Sequence, residues 1–352
     1  MRKIFLILPA IFIFTFAAAA QLPATAILKP TLSVRAQRDL GYWKLPDAKN
    51  YWSWMPKVAF TVTGPIEDAS FFTFEFTTPD GKPWYSWDTE PVSAPAGGLY
   101  NIESEAVSSW RDKRSTILTG VFGFKVTLKN NLNGTSKEMY RGSFKVGKTF
   151  AGTPHPDFKN QYAYYVDQDW AIPIGSASLT GGNDSKSPAL NVGMWFRGDF
   201  DGDRLAAYAF FNGKQISSTK TSNTGGAVRG KALIAEGDDK HEFYWTSWNF
   251  VFYNLRQTDP DGNYPNAFML KNNPGVYEIK VLLDGELVRT AAFSIGAGGE
   301  IVDSGTAAKN GFGGMGTVIP VKVIGTKEGV LNLQSWKTDA FYGNPLSGFN
   351  IQ

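Results

Sequence analysis

Apolar and polar residues alternate with a period of two along much of the chain. Phe72, Phe74 and Phe76 interleave with Phe71, Thr73 and Glu75, and Tyr277, Ile279 and Val281 interleave with Glu278 and Lys280. Successive side chains of a strand leave opposite faces, so this alternation predicts half-buried β-strands. Asp80-Gly81, Asn212-Gly213 and Asp284-Gly285 stand between such segments. These are turn pairs because glycine takes positive φ without steric cost, and Leu283-Asp284-Gly285-Glu286 reads as a two-residue hairpin. Beyond the first twenty residues no stretch shows a helical period. The pattern predicts an all-β chain of antiparallel sandwiches.

The pattern also occurs twice. Val58–Phe76 aligns without gaps on Val192–Phe210, an offset of 134. Trp84 and Trp87 then match Trp245 and Trp248, and Tyr100-Asn101-Ile102 matches Tyr253-Asn254-Leu255. Gly120-Val121-Phe122 matches Gly275-Val276-Tyr277, and Phe144-Lys145-Val146 matches Phe293-Ser294-Ile295. Colinear blocks with drifting offsets predict two related domains separated by loop insertions. The expected layout is a first sandwich over 28–150, a linker over 151–163 and a second sandwich over 164–297. Residues 298–352 would form a Gly-rich linker and a C-terminal β extension, with a strand over Thr317–Ile324 that packs back on a domain or offers an edge to a partner.

Within the second copy, Gly275-Val276-Tyr277-Glu278-Ile279 resembles the immunoglobulin-like pattern entering strand F. The resemblance makes Tyr277 a tyrosine-corner residue and puts Ile279 where a true immunoglobulin domain has its cysteine. Phe122 of the first copy lacks the corner hydroxyl. The chain is similar to bacterial Ig-like sandwich modules, and that similarity implies spacing, adhesion or binding rather than catalysis.

Composition narrows the chemistry. The chain has 352 residues, no cysteine and two histidines, which leaves no ligand set for zinc, iron–sulfur or thiol chemistry. Its 35 basic and 32 acidic residues give a formal charge of +3, close to neutral once Arg2 and Lys3 are set aside. No basic stripe is present, so no nucleic-acid partner is expected. Residues 1–20 read as a signal peptide: Arg2 and Lys3, an apolar run from Ile4 to Phe16, then Ala18-Ala19-Ala20. That run is short of the roughly 20 residues a bilayer span requires, so a secreted or periplasmic protein with no membrane span after cleavage is expected.

Few constellations could carry function. Gly311–Gly316 satisfies G-x-G-x-x-G but precedes a strand pattern ending in Pro320, so it is not a dinucleotide loop. His155 lies between two prolines, His241 sits in a loop, and no nucleophile elbow occurs, so no catalytic residue is assigned. Asp199, Asp201 and Asp203, and again Asp259, Asp261 and Asn263, place oxygen ligands around a glycine, a pattern that could take calcium. Neither turn has the closing glutamate. No other cofactor is expected. Trp84, Trp87, Trp245 and Trp248, with Tyr264 in the long 254–274 connection, are candidate stacking platforms for a polysaccharide, or else sandwich core. The sequence therefore leads to a non-catalytic tandem sandwich protein working by contact with another protein or with itself. A carbohydrate-binding protein is the alternative, and a glycoside hydrolase or its accessory subunit the weaker one.

Overall fold

The computed structural model describes residues 25–39, 41–45, 51–95, 97–104, 112–151, 160–181, 185–198, 201–220, 226–236, 243–305, 317–324 and 327–329. These residues are strands and turns with a few single 3-10 turns, and no α-helix occurs among them. The all-β class is as the alternation predicts.

The first half contains β1 (Ala26–Asp39), β2 (Ser53–Thr63), β3 (Ile66–Thr77), β4 (Pro83–Asp88), β5 (Val92–Ala94), β6 (Leu99–Glu103), β7 (Gly120–Asn130), β8 (Ser136–Phe150) and β9 (Tyr162–Val166). One sheet runs β1-β2-β6 and the other β4-β3-β7-β8-β9, with β5 also beside β3. Their inner faces meet in one apolar core. Val34, Val58, Phe60 and Ile102 come from the first sheet, and Phe72, Phe74, Phe122, Phe144 and Val166 from the second. Trp54 is fully buried there, with Trp84, Phe122 and Phe144 edge-on at 4.8 to 6.3 Å. Each such pair adds about 0.5–1.5 kcal/mol to simple area burial.

The second half contains β10 (Ile174–Thr180), β11 (Ala189–Arg197), β12 (Leu205–Phe211), β13 (Lys214–Ser218), β14 (Ala227–Glu236), β15 (Phe243–Arg256), β16 (Phe268–Met269), β17 (Gly275–Leu283), β18 (Glu286–Ile295) and β19 (Thr317–Val323). Leu190, Val192, Met194, Phe250 and Phe252 face Ala207, Tyr277, Ile279, Val281 and Phe293 across a second core. The strands form one continuous sheet, β13-β12-β17-β18-β19-β10-β11-β15-β14, folded over at β19. The start of β19 pairs with β10 (Thr317↔Ala177 to Pro320↔Ile174) and its end with β18 (Val321↔Ala291 to Val323↔Arg289). Pro320, which has no N–H to leave unpaired, stands at the changeover.

Strand order repeats between the halves. The neighbours β1-β2-β6 and β4-β3-β7-β8-β9 reappear as β10-β11-β15 and β13-β12-β17-β18-β19. Register repeats as well: Gly120↔Val146 and Phe122↔Phe144 in the first half, Gly275↔Ile295 and Tyr277↔Phe293 in the second. Both ring pairs stack at an interplanar angle of 15°, with centroids 5.8 and 6.2 Å apart. The Tyr277 hydroxyl donates to the Asn273 carbonyl at 2.7 Å, the contact a tyrosine corner makes. At the matching carbonyl of the first half, Leu118, the donor is the Trp54 indole at 2.9 Å. The indole supplies what Phe122 cannot.

Four sequence expectations are corrected. The ungapped match holds for β2 and β11 but sets Phe72 on Ala206, whereas the core-lining residues of β12 are Leu205, Ala207 and Ala209. A one-residue slip exchanges strand faces: Phe72 opposite Leu128 corresponds to Leu205 opposite Leu283, one residue earlier than the ungapped match puts it. The tryptophan pairs are not equivalent: β4 follows its turn at the edge beside β3, while β15 lies between β11 and β14. Ile102 pairs with Phe60 as Trp248 pairs with Met194, so Ile102 corresponds to Trp248 and not to Leu255. Lastly, Tyr164–Val166 belongs to β9 of the first core, and the expected extension strand is β19, the counterpart of β9.

Candidate functional site

The four tryptophans differ in exposure. Trp245 is fully buried: its indole donates to the Asp169 carboxylate at 2.9 Å, and its ring centroid lies 6.2 Å from that of Tyr165. Trp248 leaves β15 on the other face and lies in the second core. Trp84 and Trp87 are half-buried against the first core, and the Trp84 indole donates to the Arg114 carbonyl at 2.7 Å. Tyr264 lies under the Arg256 guanidinium, 3.4 Å from its ring centre. The loop carrying it is tied down where Gln257 N–H donates to Pro188 and the Thr258 hydroxyl to Lys186.

The acidic turns are likewise engaged. Asp259 accepts from the N–H groups of Asn263 and Tyr264 at 3.0 and 2.7 Å, which closes the turn, and Asp261 pairs with Lys186 at 3.1 Å. Asp201 and Asp203 are exposed, and Asp199 lies outside the described residues. A Cβ on Gly202 would come within 2.8 Å of the Trp248 ring, so glycine permits close packing there. No group of three or more histidine, aspartate or glutamate side chains gathers among the described residues as a metal site would require. Nearby, Arg204 grips Asp284 at 3.0 and 2.6 Å and holds its carboxyl below the ordinary range. Asp203, Arg204, Lys220 and Asp284 line an open recess of about 250 Å³ there. His155, His241 and residues 311–316 lie outside the described residues.

A buried charged network joins β18 and β11 to the segment just past the last strand and to the turn before β10. Arg289, fully buried on β18, forms an ion pair with Glu328 just past β19 and lies 4.8 Å over the Phe196 ring. Glu328 also accepts the Arg197 N–H at 2.7 Å, and the Arg197 side chain reaches Asp169 at 3.7 Å. Burial pulls the Arg289 guanidinium below its ordinary pKa and Glu328 opposes that shift. The signal was present in the sequence: Arg289 holds the parity of core residues Ala291, Phe293 and Ile295, an inward position where a charge needs a partner.

The surface offers a different feature. At one end of the first half, segments 41–45 and 112–118 are laced across Ser53, whose hydroxyl contacts the Gly41 carbonyl at 2.7 Å and the Ser115 hydroxyl at 2.8 Å. Asp112 completes the frame: its N–H donates to Asp39 at 2.7 Å, and its carboxylate, held low by Arg114, takes a two-pronged contact at 3.0 and 2.7 Å. On this frame Trp43 (38%), Leu45 (38%) and Leu118 (48%) are exposed, with Val121 (43%) at the start of β7. The Trp43 indole donates to the Ser115 carbonyl at 3.3 Å, which fixes the ring's pose. Composition could not show this rim, because exposure depends on how the two segments lace. No helix among the described residues is long and apolar enough to cross a membrane. No protein-family model matches the chain, and no curated protein matches it at a significant level.

Proposed function

We propose that this is a non-catalytic contact protein: two tandem Ig-like sandwiches that engage a protein partner at the cell surface or in the periplasm, reached through the signal peptide of residues 1–20. The observation that carries the reading is the exposed apolar rim of Trp43, Leu45, Leu118 and Val121 on a hydrogen-bonded frame. An exposed aromatic tied by its indole N–H, with exposed aliphatic residues on the same hydrogen-bonded frame, is the composition of a protein-binding hot spot, since little side-chain entropy is lost on contact. The carbohydrate alternative loses Trp245 and Trp248, which are buried, and rests on the half-buried Trp84 and Trp87 alone.

The test is amine-reactive cross-linking of the full chain in intact cells, read by blotting. Discrete higher-mass adducts that disappear with Trp43→Ala plus Leu118→Ser, at unchanged thermal midpoint, support the rim. Adducts unaffected by the double variant, retardation in polysaccharide gels, or release of reducing sugar overturn the reading.

A further inference from the structure

The duplication exposes a second contact, independent of the rim. In the second half β15 is covered on its outer side by β14, with Ile234, Ala232 and Arg229 opposite Trp245, Ser247 and Asn249. The counterpart of β15 is β6, and among the described residues β6 pairs with β2 alone. The hydrogen bonds at its two ends fix which groups point outward. Ser104 N–H donates to Val58, and the Gly98 carbonyl accepts from Gly64, so both ends of β6 turn these groups toward β2. Antiparallel ladders alternate residue by residue, so the N–H and C=O groups of Leu99, Asn101 and Glu103 point away from β2, to the free edge. Their positions match those that β14 covers in the second half.

Other edges are protected as edge strands usually are. β1 contains Lys29 and Pro30, β4 begins with Pro83, β13 begins with Lys214, and β14 contains Arg229 and Lys231. β9 lies against β1 of the facing sheet, and β5 and β16 span three and two residues. β6 (Leu-Tyr-Asn-Ile-Glu) has no proline, no basic residue and no register shift. Leu99 at its end is 66% exposed.

We propose that the β6 edge pairs antiparallel with β6 of a second copy of this chain, joining two three-stranded sheets across a two-fold axis. The sequence of β6 is self-complementary in the register centred on Asn101. Asn101 then faces Asn101 of the second copy and Leu99 faces Glu103, so every outward N–H and C=O finds its partner and no like charges meet. On the core side Tyr100 faces Ile102, which extends the apolar interior with an aromatic–aliphatic cross-strand pair. An isologous edge closes at the dimer, so no fibre propagates through it.

Sedimentation velocity on the chain freed of residues 1–20 tests this, with thermal midpoints as the folding control. Asn101→Pro deletes an outward N–H while leaving the β2 ladder intact, and Asn101→Asp sets two carboxylates face to face on the axis. The expected result is a reversible dimer whose dissociation constant rises about tenfold or more in each variant, a change of about 1.4 kcal/mol. If Asn101→Pro lowers the midpoint, Asn101→Asp, an exposed polar exchange, decides. A monomer at all concentrations up to about 1 mM, or a dimer indifferent to Asn101→Asp, overturns the pairing. Either failure leaves the Trp43 rim standing, since the cross-linking variants test that contact separately.

Discussion

Removing the Glu328 carboxylate isolates the most costly charge among the described residues. In Glu328→Ala the Arg289 guanidinium stays fully buried on β18 without its ion-pair partner, and the Arg197 N–H loses its acceptor. Breaking a buried ion pair from one side costs about 3–5 kcal/mol, because the remaining charge keeps its desolvation penalty and loses its compensation. That penalty falls where β19 joins β18 to β10, so it is read there by hydrogen exchange with mass spectrometry. At about 1.4 kcal/mol per decade, exchange in peptides covering Thr317–Val323 and Glu286–Ile295 should speed up roughly a hundredfold to several thousandfold. Peptides from β2 and β7 should not change. The double variant Arg289→Met, Glu328→Leu replaces the pair with apolar volume and should restore protection to within about 1 kcal/mol of the parent. Exchange of the β19 peptide within threefold of the parent in Glu328→Ala would refute the assignment of Glu328 as the group that holds this strand.

Three further outcomes are expected. Asp169→Ala leaves the Trp245 indole N–H buried without its acceptor, and calorimetry should register a loss of about 1–3 kcal/mol. Tyr277→Phe removes the bond to Asn273 without changing the packing volume, so urea titration should show a loss of about 0.5–1.5 kcal/mol. Burial pushes the Tyr277 phenol up to about 12, with Tyr140 and Tyr164 shifted in the same direction. A phenol held protonated in the folded state stabilises fully below the unfolded value near 10, and that contribution is lost as pH rises toward 12. Absorbance at 295 nm should therefore show a late-titrating tyrosine class whose ionisation coincides with unfolding, while early titration of every tyrosine below pH 10.5 would exclude it.

What the sequence made legible was local. The alternation around Phe72 and Tyr277 is a property of a single strand, and β3 and β17 lie where it predicts. The Asp284-Gly285 hairpin needs only its own backbone, and both residues take positive φ, 51° and 84°. The tryptophan match failed because residue spacing says nothing about which strand is a neighbour: β4 and β15 resemble each other in composition yet pair with different partners. β19 was set apart from its repeat because a connection of some twenty residues rich in glycine hid its equivalence to β9, which follows β8 more closely. The Trp43 rim and the β6 edge arise from pairings between distant segments, and no window of the sequence contains them.

The sheet switch at β19 has a consequence for the order in which this protein can be made. Among the described residues the first core draws on nothing beyond Val166, so it can form while later residues are still being synthesised. The second core takes Ile319 and Val321 from β19, and its buried Arg289 waits for Glu328. Until those residues emerge, β10 and β18 are both unpaired on the sides that β19 will occupy, and a growing chain carries one finished half and one open half. Any product that stops short of residue 328 therefore leaves Arg289 without its Glu328 partner, and one that stops short of 317 also keeps two bare strand edges. Closure of the second half waits for residues 317–328, long after its other strands are made.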